Sequence, residues 1–562
     1  MTHANHLNRL RVVGAVLVIL TALITYRLIS LQFGVDTAYF AERALTEYRY
    51  QVTVRPPRGE LYDRNGVLLA TNTLEYEIGI SPVLILDRET TARQLAEVLG
   101  FSEADLMEDM SSPEPYVLLM RPAPATIGQR LLEMDLDGVS ISPIPRRYYP
   151  HGSMASHVMG FVNYDGDGFY GVEGYYNAML GGQAGIGDES RIPFEATAGD
   201  AWRNGANLYL TIDSEVQFLA EDTLAQAIRE SGAKGGTLIV YQPQTGEILA
   251  MANEPRFDPN TFFNQSAQSF VNPAISEQFE PGSTLKALTM AIALENGVVE
   301  PDSTYQDNGV IEVGGLPIYN WDRASHGTTS MTTLLGKSLN VGAATLSLML
   351  GPTRFYAGLD AFGLGKPTGI DLQGEVPGSV RRPGNSNWFE SDLGTNAFGQ
   401  GLAVTPMQLV VAFGALANDG LLMQPHMVRM RVEPDGTQVA FEPTVVGRAI
   451  SPETSRELTR MLANALESEA SAALVDGYRI AGKTGTAQIP LPGGYDPELT
   501  IASFVGYGPI GDPQFVVLVK LDRPTVSPWG SQTAAPVFGY FVKRLAVLME
   551  IPPDDVRLAA SR

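Results

Sequence analysis

Ser283 and Lys286 stand three residues apart at the start of an apolar run, and this stretch constrains the fold most strongly. Residues 287–294 leave almost no polar face, so the sequence predicts a helix that is buried on all sides. Positions i and i+3 share one helix face, which places the lysine amine beside the serine hydroxyl. Pro281 and Gly282 favour a loop that enters this helix. A serine needs such a base to act as a nucleophile. The same four residues also occur in a capped helix with a solvated lysine that has no catalytic role, so the tetrapeptide alone leaves both interpretations open.

Composition excludes several other chemistries. The chain has 562 residues, so two or three domains are expected. It has no cysteine, which excludes a thiol nucleophile, a disulfide framework and a thiolate zinc site. Its six histidines include no HExxH-like pair, and no G-x-S-x-G motif accompanies them. A net charge of −23 argues against nucleic-acid binding, so we expect no nucleic-acid partner.

The N-terminal sequence predicts a membrane anchor. Residues 12–33 form an apolar stretch about as long as a single membrane span. Arg9 and Arg11 precede it, and the positive-inside rule then places residues 1–11 in the cytoplasm. A cleaved signal peptide is the competing interpretation, but the residues at 25–27 are too bulky for a cleavage site. We therefore expect a single-pass cell-membrane protein with an extracytoplasmic catalytic body.

Residues 34–204 are predicted to form a β-rich, non-catalytic domain. Two short strands at 61–70 are joined at Asn65-Gly66, a hairpin signal. Residues 91–99 and 102–110 are predicted as helices, and 113–124 as a proline-rich connection. A glycine-rich passage at 181–187 precedes a change of pattern near residue 205.

Residues 205–548 are predicted to form a second, α+β domain. A strand at 207–212 and a helix at 214–230 are followed by a hairpin at 236–251. Further strands are predicted at 478–489, 503–507 and 515–521, with helices and loops over 330–470. A helix at 535–549 closes the domain, and 549–562 is expected to be a flexible tail. This order indicates one antiparallel sheet covered by helices, with the Ser283 helix in the middle.

Two further motifs lie in the second domain. Ser338-Leu339-Asn340 follows the Ser283 helix, and Lys483-Thr484-Gly485 lies on a predicted strand. Alone, the first could cap a helix and the second could end a strand. Together and in this order, S-x-x-K, S-x-N and K-T-G are typical of penicillin-binding proteins and class A β-lactamases.

On these residues the chain resembles a class B penicillin-binding protein, a monofunctional peptidoglycan D,D-transpeptidase. The resemblance runs from the anchor to about residue 545 and implies a pedestal (dimerisation-type) domain before a penicillin-binding, serine β-lactamase-like transpeptidase domain. β-Lactamases lack such a pedestal. The supporting blocks are Phe279-Glu280-Pro281-Gly282-Ser283-Thr284, Thr245 to Met251, Gly399-Gln400-Gly401 with Thr405-Pro406, Arg58-Gly59, Asp63-Arg64-Asn65-Gly66, Arg147 to Pro150 and Gly171-Val172-Glu173-Gly174.

The resemblance implies a serine acyl-enzyme mechanism. Ser283 would attack the penultimate D-Ala carbonyl of a stem peptide, with Lys286 as the base. Ser338 would relay a proton to the leaving amine, and Lys483 would supply positive charge near it. β-Lactams would acylate Ser283 as covalent inhibitors because they mimic D-Ala-D-Ala.

It also implies the groups that bind the substrate. The backbone N–H groups of Ser283 and Thr486 would form the oxyanion hole. Asn340 would hold the substrate amide, and Thr484, Gly485 and Thr486 would bind near the terminal carboxylate. Leu339 stands where relatives often carry a polar residue, and its side chain is expected to point away from the cleft. No metal or organic cofactor is implied.

Several roles remain open at this point. A bifunctional class A enzyme is disfavoured, because no glycosyltransferase signature follows the anchor. The family therefore implies a SEDS-family glycosyltransferase partner, with other divisome or elongasome membrane proteins. The residues at 338–342 are closer to those of septal enzymes, so a role in septal synthesis is preferred to a role in elongation. A β-lactamase or β-lactam sensor and a catalytically silent division scaffold are the further alternatives.

Overall fold

The computed structural model describes residues 3–33, 49–54, 56–183, 185–190, 203–469, 471–491 and 494–560. These residues fall into two units, one within Met1–Pro57 and Gly182–Asn204 and the other within Arg58–Gly181 and Gly205–Arg562. In the first unit, the helix His3–Phe33 contains an exposed apolar stretch, Arg11–Ser30, long enough to cross a membrane. The same unit holds an antiparallel strand pair, Arg49–Val54 with Gly185–Ser190.

The larger unit contains a five-stranded antiparallel sheet, as the sequence predicts. Its strand order is Ile248–Glu254, Gly235–Tyr241, Phe515–Asp522, Gly494–Gly508 and Ala481–Leu491. Two neighbouring strands inside this sheet, Gly235–Tyr241 and Phe515–Asp522, are buried on both faces, which explains their nearly continuous apolar sequences.

Helices cover both faces of this five-stranded sheet. Leu238 and Val240 pack in one apolar cluster with the helices Ser214–Ser231 and Ala534–Leu548. Ile239 and Tyr241 point the other way, because successive strand residues alternate faces. On that side lie the helices Leu285–Glu295, Pro406–Ala417 and Pro452–Glu469.

The serine helix, Leu285–Glu295, is buried from Leu285 to Ala293, as its apolar sequence predicts. It packs against the helices Asn340–Ala361 and Pro452–Glu469. Each fully buried Leu, Ile or Met side chain in it contributes about 1.5–3 kcal/mol. At its C-terminal end the Glu295 carboxylate accepts hydrogen bonds from Ser451 N (2.9 Å) and Thr454 Oγ1 (2.6 Å). This helix is therefore fixed on its sides and at its end.

A second, seven-stranded sheet joins residues 58–181, called the pedestal region after the predicted organisation, to residues 205–560, called the catalytic region. Its main order is Gln438–Ala440, Val428–Val432, Asn207–Leu210, Leu61–Tyr62, Leu68–Ile80 and Val117–Ala123, and Val139–Tyr148 also pairs with Leu68–Ile80. The predicted hairpin at Asn65-Gly66 is confirmed. The prediction of a mere connection at 113–124 is wrong, because Val117–Ala123 pairs with Leu68–Ile80 at the edge of the sheet, where a proline is tolerated.

The predicted helices of the pedestal region are confirmed as Arg88–Leu99 and Glu103–Asp109, which pack with Ala125–Met134 in one apolar cluster.

The stretch expected to be a flexible tail includes the helix Asp554–Ala560. Asp554 there accepts from Arg479 N (2.6 Å), and the Tyr478 hydroxyl donates to Ile551 O (2.7 Å). The remaining short elements are Pro82–Leu84, Ser156–Met159, Phe161–Val162, Gly168–Phe169, Gly171–Tyr175, Asn177–Gly181, Pro259–Asn264, Ala267–Phe270, Pro273–Ser276, Gly282–Thr284, Thr304–Asp307, Val310–Val313, Leu316–Tyr319, Gly327–Ser330, Met331–Lys337, Glu390–Asn396, Leu421–Met423, Val445–Arg448 and Ser471–Ala473.

A buried charge cluster organises the pedestal region. Glu173 is fully buried and accepts from Arg58 Nε (2.6 Å) and Arg147 Nε (2.7 Å). Burial alone would raise the pKa of Glu173, but attraction by Arg147 and Arg58 outweighs it and keeps the pKa below its ordinary value. Three sequence blocks that are far apart in the chain thus meet at one carboxylate.

The hairpin at residues 63–66 docks on the catalytic region. Asp63 Oδ2 accepts from the backbone N (3.1 Å) and hydroxyl (2.8 Å) of Ser214, at the start of the helix Ser214–Ser231. Asn65 Nδ2 donates to Asp213 Oδ2 (3.0 Å). A Cβ at Gly59 would lie 1.9 Å from the Ala206 carbonyl oxygen, so only glycine fits there. The pedestal motifs therefore fix the joint between the two regions.

Replacing Glu173 by Gln should destabilise the protein by about 3–5 kcal/mol, because two buried guanidinium groups lose their counter-charge. The exposed pair of Glu97 and Arg130 provides the matched control, and Glu97→Gln should cost less than about 1 kcal/mol. Chemical unfolding of the full chain in detergent measures both values. Equal effects of the two substitutions would contradict the proposed importance of the buried cluster.

Candidate active site

Ser283 lies in a tight turn, Gly282–Thr284, at the entrance to the serine helix. Gly282 has φ +56°, and a Cβ on it would lie 2.8 Å from the Thr486 carbonyl oxygen. Its N–H donates to the Gly399 carbonyl (3.0 Å), so a glycine-rich loop supports the turn. Ser283 is partly exposed, whereas both neighbours in the turn are buried. The turn thus presents one hydroxyl to solvent from a rigid base.

Lys286 is 1% exposed, and its amine touches groups from two motifs. Lys286 Nζ lies 3.0 Å from Ser283 Oγ, 2.5 Å from the Ser338 carbonyl oxygen and 2.7 Å from Asn340 Oδ1. Burial lowers the pKa of Lys286 well below its usual range, and the like charge of Lys483 lowers it further.

A neutral amine has two N–H donors and one lone pair. The carbonyl oxygen of Ser338 and the side-chain oxygen of Asn340 can only accept, so they take the two N–H groups of Lys286. The lone pair is then left for a hydroxyl proton, and Ser283 Oγ is within reach. This geometry makes Lys286 a candidate general base for Ser283.

Ser338 ends the helix Met331–Lys337 in the left-handed conformation, with φ +57°. This conformation is uncommon for a residue other than glycine and costs about 1–3 kcal/mol. It directs both the carbonyl and the hydroxyl of Ser338 to the lysines, with Ser338 Oγ 3.1 Å from Lys286 Nζ and 3.0 Å from Lys483 Nζ. The Leu339 side chain is fully buried in the interior, as expected for a side chain that points away from the cleft.

Lys483 lies on Ala481–Leu491, the strand at the edge of the five-stranded sheet. Burial lowers its pKa to about 8, so the amine is largely charged at neutral pH. Thr484 and Thr486 are partly exposed on the same strand, and Thr486 Oγ1 accepts from Gly530 N (3.0 Å). A Cβ at Gly485 would lie 2.3 Å from Ser503 Oγ, which explains the glycine between the threonines.

Sequence reasoning missed an aromatic pair at this site. The rings of Trp321 and Trp529 lie 5.8 Å apart at an interplanar angle of 64°, and both are exposed. Trp321 Nε1 donates to the carbonyl of Lys337, next to Ser338, and Trp529 precedes the Gly530 that contacts Thr486. Neither residue belongs to a periodic pattern or motif, so no sequence signal places them together.

Two buried amines, those of Lys286 and Lys483, determine the electrostatics of the site. Within the described ranges, no carboxylate forms an ion pair with Lys286 or Lys483, and no cluster of three or more His, Asp or Glu side chains could hold a metal ion. A lysine whose pKa burial lowers well below its usual range and a second lysine that is largely charged suit nucleophilic attack on a carbonyl and binding of an anionic group. The arrangement therefore supports transfer of an acyl group to Ser283 from a substrate that carries a negative charge.

The comparisons with known proteins agree with this chemistry. The sequence matches the penicillin-binding protein transpeptidase domain family over residues 236–543 and the penicillin-binding protein dimerisation domain family over residues 53–189. Stage V sporulation protein D of Bacillus subtilis is 33% identical over 550 residues, which cover 94% of this chain and 84% of that protein.

Two further similar proteins come from other bacteria. Peptidoglycan D,D-transpeptidase FtsI of Escherichia coli is 29% identical over 520 residues, covering 89% of this chain and 85% of FtsI. The crystal structure of penicillin-binding protein 3 of Mycobacterium tuberculosis in complex with aztreonam superposes with a TM-score of 0.70 and 29% identity. The superposition covers 89% of this chain and 98% of the chain in that crystal structure.

The two lysines should give acylation a bell-shaped pH dependence. The rate should rise as Lys286 loses its proton and fall above about pH 8 as Lys483 loses its own. Lys483→Met should abolish the alkaline fall and move the rising limb to higher pH, because the like charge that lowers the pKa of Lys286 is gone. Rates of labelling by a fluorescent penicillin across this range measure both limbs.

The control for this experiment is Lys337→Met, which removes an exposed lysine one residue before Ser338. Both limbs should stay where they are in that variant. An unchanged alkaline limb in Lys483→Met would show that another group titrates there.

Proposed function

The chain belongs to the class B penicillin-binding proteins, which are peptidoglycan D,D-transpeptidases, and on that premise we propose the roles of its individual residues. Ser283 attacks the carbonyl of the penultimate D-Ala of a stem peptide, and Lys286 accepts the hydroxyl proton. The observation that carries this assignment is the Lys286 amine, buried and 3.0 Å from Ser283 Oγ with both N–H groups taken by other acceptors.

The oxyanion that develops during attack is held by the backbone N–H groups of Ser283 and Thr486. The Gly282 turn packs against the Thr486 carbonyl, which supports this placement because it brings the two backbones together. Fixed donors aimed at a developing charge are often worth about 2.7–4 kcal/mol each in transition-state stabilisation. The terminal carboxylate of the substrate is bound by Thr484 and Thr486, with Gly485 keeping the strand accessible and Lys483 supplying the charge.

Proton transfer to the leaving D-Ala amine passes through Ser338. Its hydroxyl lies between the two lysine amines, within 3.1 Å of each, which is the position such a relay needs. Asn340 binds the substrate amide and orients Lys286. The acyl-enzyme is then resolved by an amine of a neighbouring stem peptide, which frees Ser283 and forms the crosslink.

We also propose the organisation of the whole chain. Residues 34–204 form the pedestal and 205–548 the transpeptidase domain, and the two family matches lie inside these bounds. Residues 12–33 anchor the chain, with Arg9 and Arg11 on the cytoplasmic side and the catalytic domain outside. Glycan polymerisation is supplied by a SEDS-family glycosyltransferase that meets the anchor and pedestal within a membrane assembly.

Labelling with a fluorescent penicillin followed by mass mapping tests the site. The adduct is expected on Ser283, absent in Ser283→Ala and formed about 10²–10⁴-fold more slowly in Lys286→Ala, the typical effect of losing a general base. Ser266→Ala, an exposed serine outside the cleft, should label normally. An adduct on another serine would overturn the assignment, and rapid release of the adduct would indicate a β-lactamase.

The cellular role is proposed to be septal synthesis. Similarity to FtsI of Escherichia coli and to penicillin-binding protein 3 supports this role, as do the residues at 338–342. A fluorescent fusion should concentrate at division sites, and so should the Ser283→Ala fusion if recruitment does not depend on catalysis. Label spread along the side wall and absent from division sites would favour the elongation role instead.

A further inference from the structure

The Asn340 side chain uses both ends of its amide in the site. Oδ1 accepts from Lys286 Nζ (2.7 Å), and Nδ2 donates to the Tyr319 carbonyl (3.0 Å). If the Tyr319 carbonyl were elsewhere, the amide could turn and offer Nδ2 to the lysine, which would remove the acceptor. The position of this backbone carbonyl therefore determines which end of the Asn340 amide faces Lys286.

Asn320, the next residue after Tyr319, fixes that carbonyl. Asn320 is 1% exposed, and its Oδ1 accepts from Val341 N (3.1 Å) in the first turn of the helix that begins with Asn340. Its Nδ2 donates to both carboxylate oxygens of Asp307, at 2.9 and 3.1 Å, and to the Ala324 carbonyl oxygen (3.1 Å). One buried amide thus joins the end of the strand Leu316–Tyr319 to the start of this helix.

Asp307 is fully buried and held only by hydrogen-bond donors. Besides Asn320, its oxygens accept from the Tyr305 hydroxyl (2.8 Å) and Gly309 N (2.8 Å). No ion pair among the described side chains includes Asp307. A buried carboxylate is costly unless donors surround it, so this acceptor is a specific feature of the site's surroundings.

We propose that Asp307 and Asn320 are positioning residues for the proton transfer from Ser283. They hold the Tyr319 carbonyl and the first turn of the helix Asn340–Ala361 in register, so that Asn340 presents Oδ1 to Lys286. The groups that face the Lys286 amine are the hydroxyls of Ser283 and Ser338, the Asn340 amide and the charge of Lys483. Asp307 acts on it only through Asn320 and Asn340, and the inference rests on the proposed role of Lys286 as the base.

Asp307→Asn tests the inference, because whichever way the new amide turns, its NH₂ group replaces one of the two oxygens that accept from Asn320 Nδ2. We expect the acylation rate constant for a fluorescent penicillin to fall about tenfold, a part of what general-base catalysis supplies. The rising limb of the pH profile should move to lower pH, since a displaced Asn340 oxygen no longer favours the charged form of Lys286. Glu312→Gln is the matched control, because it neutralises an exposed carboxylate of the same β region, and it should leave rate and limb unchanged.

Asn320→Ala provides the second variant. It removes the amide that joins Asp307 to Val341 N, so the same loss of rate and the same shift of the rising limb are expected. If Asp307→Asn does not fold, Asn320→Ala alone is measured against the same control.

Rate constants are measured per acylable molecule, so a merely structural role would lower the amount of adduct and leave the rate constant and pH limb unchanged. That result, or an Asn320→Ala variant that reacts as fast as the original chain, would overturn the inference. Failure of the proposed function is a separate outcome, because it would appear as labelling of Ser283→Ala in the otherwise unaltered chain.

Discussion

The Lys286 amine is held by two carbonyl oxygens in an interior that offers it no carboxylate among the described side chains. A charged amine in such a place is costly, so burial favours the neutral form. Once neutral, the amine has one lone pair left, and Ser283 Oγ is within its reach. The apolar serine helix enforces this situation, because every other face of the helix is packed and the lysine has only the cleft to point into.

The rest of the catalytic region keeps the neighbours of this amine in place. Gly282 and Gly485 allow backbones to approach so closely that a side chain on either would collide with the facing strand or turn. Ser338 adopts a strained backbone conformation that aims its carbonyl and hydroxyl at the two lysines. Strain of this kind persists only where the surrounding structure determines it, and here the buried Leu339 anchors the loop.

Much of the fold follows from local sequence signals. The apolar runs at 236–241 and 515–521 predict the central strands, and the buried serine helix follows from its lack of a polar face. The sequence predicts helices and loops over 330–470, whereas the structure places the strands Val428–Val432 and Gln438–Ala440 there. Val428–Val432 pairs with Asn207–Leu210, more than two hundred residues earlier in the sequence, and Gln438–Ala440 pairs with Val428–Val432. The S-x-x-K, S-x-N and K-T-G motifs are recognisable from their order in the sequence, whereas Asp307, Asn320 and the Trp321–Trp529 pair are not. Their partners are set by tertiary contacts, which no local pattern encodes.

The parallel pairing of Leu61–Tyr62 with Asn207–Leu210 has a practical consequence for anyone who expresses the catalytic region alone. A chain cut near residue 205 loses the strand that covers Asn207–Leu210 and, with it, the carboxylate of Asp63 at the start of the helix Ser214–Ser231. An uncovered strand edge is a template for pairing with other chains. Such a fragment carries the S-x-x-K, S-x-N and K-T-G motifs yet exposes this strand edge, and a fragment that keeps residue 58 onward keeps the edge paired.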